Sequence, residues 1–397
     1  MILLDTPVQL QHLERCAESG TQIIYPDQSM AEVLRAADAV ILNWWNHPLM
    51  SRFLASFPQA PMRLLLWSHV NGCIYPFLPA NFLSRFSRVL FTTPYSLDNM
   101  WWGETERNAI LKKSEIVYGS GIYNRDGPRK RDYSVQDDTF TIGYVGTLNK
   151  AKIHPETAVY CKAAKQAVPN ARFLFVGEPD ESLQADLSDA GLNDCVEFTG
   201  YIQNVVDQMA RFNAFGYLLN PVHYGTTENA ILEAMHFALP VVLLNQGTEK
   251  HLVSHESNGF LVSGPTEYAK VMMRLAKSEA LRKKIGTAAR EAAITLTDAD
   301  GNAKRFRESV ELTLDERKEL ISFSDITGET PTDWFIAFMP PEDKAAFLRF
   351  KQNGAPLPIE CRRDIYTQET KSSLYHFRNC FVTDDSLRRL ESILAPD

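Results

Sequence analysis

Four stretches place polar side chains where they could act on a ligand. They are GTLNKAK (146–152) with Lys150 and Lys152, HYGTTEN (223–229) with Glu228 and Asn229, the lone Glu233 within AILEAM, and WSHVNG (67–72) with His69. The first two follow apolar runs and precede helical patterns. At such a junction free backbone N–H groups and the helix dipole make a site for an anion, typically phosphate. Gly225 permits close approach there, and Thr226 or Thr227 can cap the next helix. Neither stretch is a Walker A loop, because G-x-x-x-x-G-K-[ST] is absent, and a capped helix without a ligand is the plain alternative. Glu233 is harder to explain blandly. It sits among Ile231, Leu232, Ala234 and Met235, so its carboxylate either projects to solvent or is desolvated and needs a hydrogen bond, for which a ligand hydroxyl is a fitting partner.

His69 stands at the end of the strand-like RLLLW, where a ligand-facing group belongs, although a lone histidine more often serves as a structural hydrogen-bonder. Trp44, Trp45, Trp101 and Trp102 could stack on a sugar, with core packing the commoner fate of such rings. His47 reads as the start of a helix, and His154 and His236 as structural. No spacing of His, Cys, Asp or Glu suggests a metal site.

The elements that must position these groups alternate in type. TFTIGYVGTL, RFLFVGE, CVEFTGY, AFGYLLN, LPVVLLN and GFLV are short apolar runs closed by Gly, Asn or Pro, and they read as buried strands. Between them PETAVYCKAAKQAV, ESLQADLSDAG, VVDQMARF and TTENAILEAMHFA repeat apolar residues at helical spacing. Strand and helix in alternation predict a doubly wound parallel sheet, which binds ligands at the carboxyl ends of its strands. The amino-terminal third repeats this grammar less fully, with TQIIYP, DAVILNWW, RLLLWSHV, RVLFTT and SEIVYGS as strands. The run at 123–138 reads as a linker. This yields a short first α/β domain at 1–135, a second at 136–315 that includes one long helix, EYAKVMMRLAKSEALRKKIGTAAREAAI, and a tail at 316–397 that packs back on the first domain. The two domains are expected to face each other across a cleft.

With 397 residues, 45% of them hydrophobic, the chain can bury two cores. A formal charge of −8 argues against a general nucleic-acid binder. Six scattered cysteines with no C-x-x-C pair, the start MILLDTPVQL without a basic leader, and no membrane-length apolar run lead to the expectation of a cytoplasmic protein with at most peripheral membrane contact.

TIGYVGTLNKAKIHP, CVEFTGYI and TTENAILEAMHFALPVVLLNQGTEKHLVSHESNGFLV, in that order and spacing, resemble the donor domain of nucleotide-sugar glycosyltransferases of the GT-B fold. The likeness is greatest to the retaining family 4, the glycosyl transferases group 1. This resemblance implies two Rossmann-like domains and transfer of a sugar from a UDP or GDP donor to a hydroxyl acceptor, glycan or lipid-linked, with retention and without a required metal or other cofactor. It implies that Glu233 holds the donor ribose and that the N–H groups near Thr226, Thr227, Glu228 and Asn229 hold the diphosphate. It further implies that Lys152 neutralises phosphate, that the Gly146–Thr147 turn lies beside it, that Tyr201 and Ile202 meet the base, and that Glu249 is the acidic residue after the PVV strand. His69 matches a histidine near the donor sugar.

The sequence departs from the family pattern in three ways. Gly225 stands where a sugar-contacting glutamate is usual, with Glu228 as the possible substitute; Thr147 replaces an arginine; and the first domain lacks the usual glycine-rich loop. A non-catalytic nucleotide-sugar binder or partner subunit, a homo-oligomer among the options, is therefore the alternative, with a nucleotide-sugar epimerase behind it.

Overall fold

Residues 1–5, 11–25, 30–119, 139–361, 364–368 and 370–394 are described by the structure, a computed structural model. The expected linker at 123–138 lies outside the described residues. The chain divides into two compact units.

The first unit comprises Met1–Thr92, Ser96–Val117 and Lys304–Asp397. Its strands are β1 (Val40–Trp44), β2 (Pro61–Met62), β3 (Leu64–Ser68), β4 (Arg88–Phe91) and β5 (Ser114–Ile116). Four of them form a parallel sheet in the order β1-β3-β4-β5. Among the described residues of TQIIYP a bridge from Ile24 to Ile2 stands in place of the expected strand. The carboxyl-terminal residues belong to this unit from 304 onward, a boundary that falls within the helix Ala299–Leu314 and before the 316 read from the sequence. Their aromatic rings fill the unit's core. Phe338 lies 4.6 Å from Trp44 and 5.1 Å from Phe82, Phe323 packs on Phe57 at 5.1 Å, and Tyr366 meets Tyr75 at 4.9 Å between ring centroids. The unit is thus assembled from both ends of the chain.

The second unit holds Thr93–Tyr95 and Tyr118–Ala303. Its strands are β6 (Phe140–Val145), β7 (Ala171–Val176), β8 (Val196–Phe198), β9 (Ala214–Tyr217), β10 (Val241–Leu244) and β11 (Phe260–Val262), all parallel in the order β11-β10-β9-β6-β7-β8. β6, β9 and β10 are buried along their whole length, because helices cover both faces and leave no polar side to alternate with. The order reverses between β6 and β9, so their adjacent carboxyl ends form the topological switch point where such sheets bind ligands. Beyond β11 the single long helix expected from the sequence is two, Pro265–Lys277 and Glu279–Leu296. Ser278 interrupts them, its side chain accepting from Leu281 N–H and capping the second. The last strand, β12 (Glu319–Leu320), belongs to the first unit and pairs antiparallel with β2. Among the described residues no helix is long and apolar enough to cross a membrane.

Candidate functional site

At the switch point the loop after β6 is tied to the chain after β9. Ile153 bridges Leu219, Asn220 N–H donates to Lys152 O at 2.8 Å, and the Asn220 side chain donates to Lys150 O at 2.7 Å. This ladder fixes the backbone from which Lys152 projects. At the loop's start, the place of a Cβ on Gly177 would fall 2.1 Å from Gly146 O, so only glycine, here at φ 152°, lets the ends of β6 and β7 approach so closely.

Lys152 Nζ lies 3.1 Å from Glu228 Oε2, and Tyr217 OH donates to the same oxygen at 3.1 Å. Tyr217 stacks on Tyr144 at 4.7 Å, and Tyr144 OH in turn donates to Thr147 O at 2.9 Å. Burial works to raise the Glu228 carboxyl, but Lys152 and the Tyr217 hydroxyl outweigh it and hold the group below the usual glutamate range. The 3.7 Å approach of His223 to Glu228 is not an ion pair. His223 Nδ1 accepts from Gly225 N–H at 3.0 Å, and burial depresses the ring's pKa, so the imidazole is neutral. A Cβ on Gly225 would lie 2.4 Å from Glu228 Oε1, which means that the glutamate carboxylate occupies the space a side chain at 225 would need.

The helix Asn229–His236 begins later than the sequence suggests. Its cap is Glu228, with no side-chain cap bond, while Thr226 and Thr227 lie in a bend before it and do not cap it. The physical reason is the extended backbone of Glu228 at φ −75°, ψ 107°, which lets its carboxylate turn back to Lys152. Glu233 is the half-buried exception in a turn whose neighbours Ile231, Leu232, Ala234 and Met235 are wholly buried. Burial pushes its carboxyl up, and no described residue hydrogen-bonds it.

Glu249 is 3% exposed and accepts from Gln246 Nε2 at 3.0 Å; burial, reinforced by the charge of Glu228, pushes its carboxyl up to about 7. Its neighbour Thr248 donates to Gly225 O at 3.2 Å, which joins this loop to the same cluster. Lys152, Gly225, Glu228 and Glu249 are therefore gathered in one place. Tyr201, beyond β8, is 80% exposed, and Ile202 packs against the hydrophobic core of the unit. Lys150 turns outward to Asp186 at 2.7 Å. His154 accepts from Glu156 N–H and His236 bonds Thr297, both serving structure.

His69 belongs to the first unit, where Nε2 bonds Asn43 Oδ1 at 3.1 Å and burial lowers its pKa to about 4. Of the tryptophans, Trp44 and Trp102 are core, and Trp45 is 44% exposed. The sequence reading missed Tyr144, Tyr217, His223 and Thr248. A signal existed for the tyrosines, since Gly143-Tyr144 and Gly216-Tyr217 put the same dipeptide near the ends of the two switch-point strands.

Residues 139–278 match the model of the family described as glycosyl transferases group 1. No curated protein sequence matches the chain. Among solved structures, HepE from Anabaena in complex with UDP and glucose is similar, with TM-score 0.55 and 15% identity over 78% of this chain and 90% of that one. A glycosyltransferase from Rickettsia africae has TM-score 0.61 and 14% identity, over 79% and 90%. A TarM mutant from S. aureus, solved with Fondaparinux, alpha-GlcNAc-glycerol and UDP, has TM-score 0.51 and 14% identity over 64% of this chain; the present chain spans about half, 51%, of its length. At these identities the likeness establishes the fold, which is GT-B, with two Rossmann-like units.

Proposed function

We propose, from the match of residues 139–278 to the glycosyl transferases group 1 model, that the protein transfers a sugar from a nucleotide-sugar to a hydroxyl acceptor, with retention, in glycan assembly. The observation that carries this reading is the cluster at the switch point. Lys152, the start of the helix Asn229–His236 and Glu228 meet where a doubly wound sheet presents an anion site. The diphosphate lies against Lys152 and the first N–H groups of that helix, which stabilise charge as the glycosidic bond breaks. The ribose hydroxyls donate to Glu233, a desolvated carboxylate with no described partner. Glu228, held at Oε2 by Lys152 and Tyr217, presents Oε1 over Gly225 as acceptor for a hydroxyl of the donor sugar. Solved relatives with UDP favour UDP over GDP as the carrier.

A second reading, a binder without transfer, has one observation in its favour: the Lys152 charge is already matched by Glu228, so a diphosphate must share it. Calorimetry with UDP- and GDP-sugars, followed by assays of donor hydrolysis and transfer, separates the two. Binding with turnover supports the transferase, binding without turnover supports the binder, and no binding of any nucleotide or nucleotide-sugar overturns both. Glu233→Ala is expected to weaken donor binding by about 1–3 kcal/mol; wild-type affinity in a folded variant removes the ribose role.

A further inference from the structure

The first unit carries a second cluster with ligand-binding chemistry. Along β1 and just beyond it, Leu42, Trp44 and Asn46 point into the core while Asn43 and Trp45 alternate to the exposed face. The parallel register sets Asn43 opposite Trp67 and Trp44 opposite Ser68, and His69 N–H donates to Trp44 O, which brings Trp45 beside His69. The two rings stack at 4.6 Å and 8°, and Trp67 flanks the imidazole at 5.0 Å. Because the Asn43 amide oxygen can only accept, His69 Nε2 carries the hydrogen and Nδ1 keeps a lone pair. Burial keeps the ring neutral. Lys371 Nζ stands 5.7 Å from the centre of the Trp45 ring and makes no ion pair with any described residue.

This geometry is held from behind. Ser372, next to Lys371, donates to Trp45 O at 3.2 Å and to Asn46 O at 3.0 Å, while its own carbonyl accepts from Tyr75 OH at 2.5 Å. Asn46 and Ser372 both adopt left-handed backbone, at φ 52° and 81°, and they are two of the four non-glycine residues that do so among those described. Strain of this kind persists where surrounding structure fixes it, commonly at ligand clamps.

We propose that Trp45, His69, Asn43 and Lys371 form a platform that binds an anionic saccharide. With His69 stacked on one face of the half-exposed indole, a pyranose lays its C–H face on the other, beneath Lys371 Nζ at 5.7 Å, which meets the anionic substituent. His69 Nδ1 accepts a sugar hydroxyl, the Asn43 side-chain N–H donates to another, and Lys371 pairs with a carboxylate or phosphate substituent. The site names the acceptor class for the transfer proposed above. It rests on that reading for the acceptor role, while the binding itself stands independently.

The test titrates the full chain at low ionic strength with trigalacturonate, glucose 6-phosphate and neutral maltotriose, read by tryptophan fluorescence and calorimetry, with UDP titrated in parallel. At least one anionic sugar is expected to bind tenfold or more tightly than maltotriose; preference for the first assigns a carboxylate and for the second a phosphate. Lys371→Gln should abolish that preference. Trp45→Ala should weaken all three sugars at least tenfold, Trp45→Phe should recover part of the loss, and UDP affinity should stay unchanged in each variant. Equal affinity for neutral and anionic sugars, no sugar binding in a protein that binds UDP, or wild-type sugar binding by Trp45→Ala overturns the proposal. Sugar binding without UDP binding would leave the platform standing and remove the donor reading instead.

Discussion

The two clusters solve the problem of holding polar groups by opposite means. In the second unit Lys152, Glu228 and Tyr217 are withdrawn from water and satisfy one another, so the Glu228 carboxylate depends on its partners to keep its charge. In the first unit Trp45 and Lys371 lie at the surface over a half-buried His69, held by ring stacking and by backbone braces behind them. A buried network converts the loss of one member into a stability defect, because the remaining charge stays desolvated. A surface platform can lose a ring with little effect on folding. Stability and binding should therefore respond in opposite proportion at the two places.

The largest effect that would test this contrast is Lys152→Ala, expected to cost about 3 kcal/mol in urea unfolding by leaving Glu228 buried without its cation. Adding Glu228→Gln should restore much of that loss, and an additive double mutant would break the claim of a coupled network. Gly225→Ala comes next, at about 2 kcal/mol, because its Cβ would displace the Glu228 carboxylate and the His223 ring. Unchanged stability there would show that the loop is looser than its contacts imply.

Glu249 supplies a pH signature. Its folded carboxyl keeps its proton up to about pH 7, whereas the unfolded chain releases it near about 4.3. Between those values folding takes up a proton, so stability falls as pH rises, by up to about 1.4 kcal/mol per pH unit. Glu249→Gln should flatten that decline. Glu228 has the reverse sign. Its depressed pKa gives stability that is present above the unfolded value and lost as pH falls through the folded one, and Glu228→Gln should remove that acid-side loss. The smallest effect is expected from Trp45→Ala, about 1 kcal/mol or less in unfolding despite the large loss of sugar binding. A large destabilisation would make Trp45 a core residue and erase the contrast.

How far the sequence revealed these regions depended on how local the signal was. The six strands of the second unit were legible because each is an uninterrupted apolar run closed by a turn residue, as in FTIGYV before Gly146 and VVLL before Asn245. Lys152 in one turn, and Gly225 and Glu228 in another, were visible from the sequence, since glycine and charge at a strand end can be read without neighbours. The pairing of Lys152 with Glu228 was not, because it depends on two loops meeting across the β6–β9 switch. The start of the helix at Asn229 also escaped, since threonines at 226 and 227 satisfy the capping rule while the tertiary ion pair draws Glu228 into the cap position. The break at Ser278 was overridden by helical periodicity on both sides of it. In the first unit the association of Lys371 with Trp45 spans most of the chain, and no spacing rule reaches that far.

That long reach bears on how the protein is made. Phe338, Tyr366 and Ser372 complete a core whose strands begin at Val40, so a ribosome delivers the first unit's sheet long before the residues that cover it. The second unit, almost continuous in the chain, can close while synthesis is still under way, and the amino-terminal strands must wait with exposed apolar faces until the last hundred residues emerge. A premature stop in that final stretch would leave a folded second unit attached to an unfinished first one, a species that chaperones and proteases would have to handle.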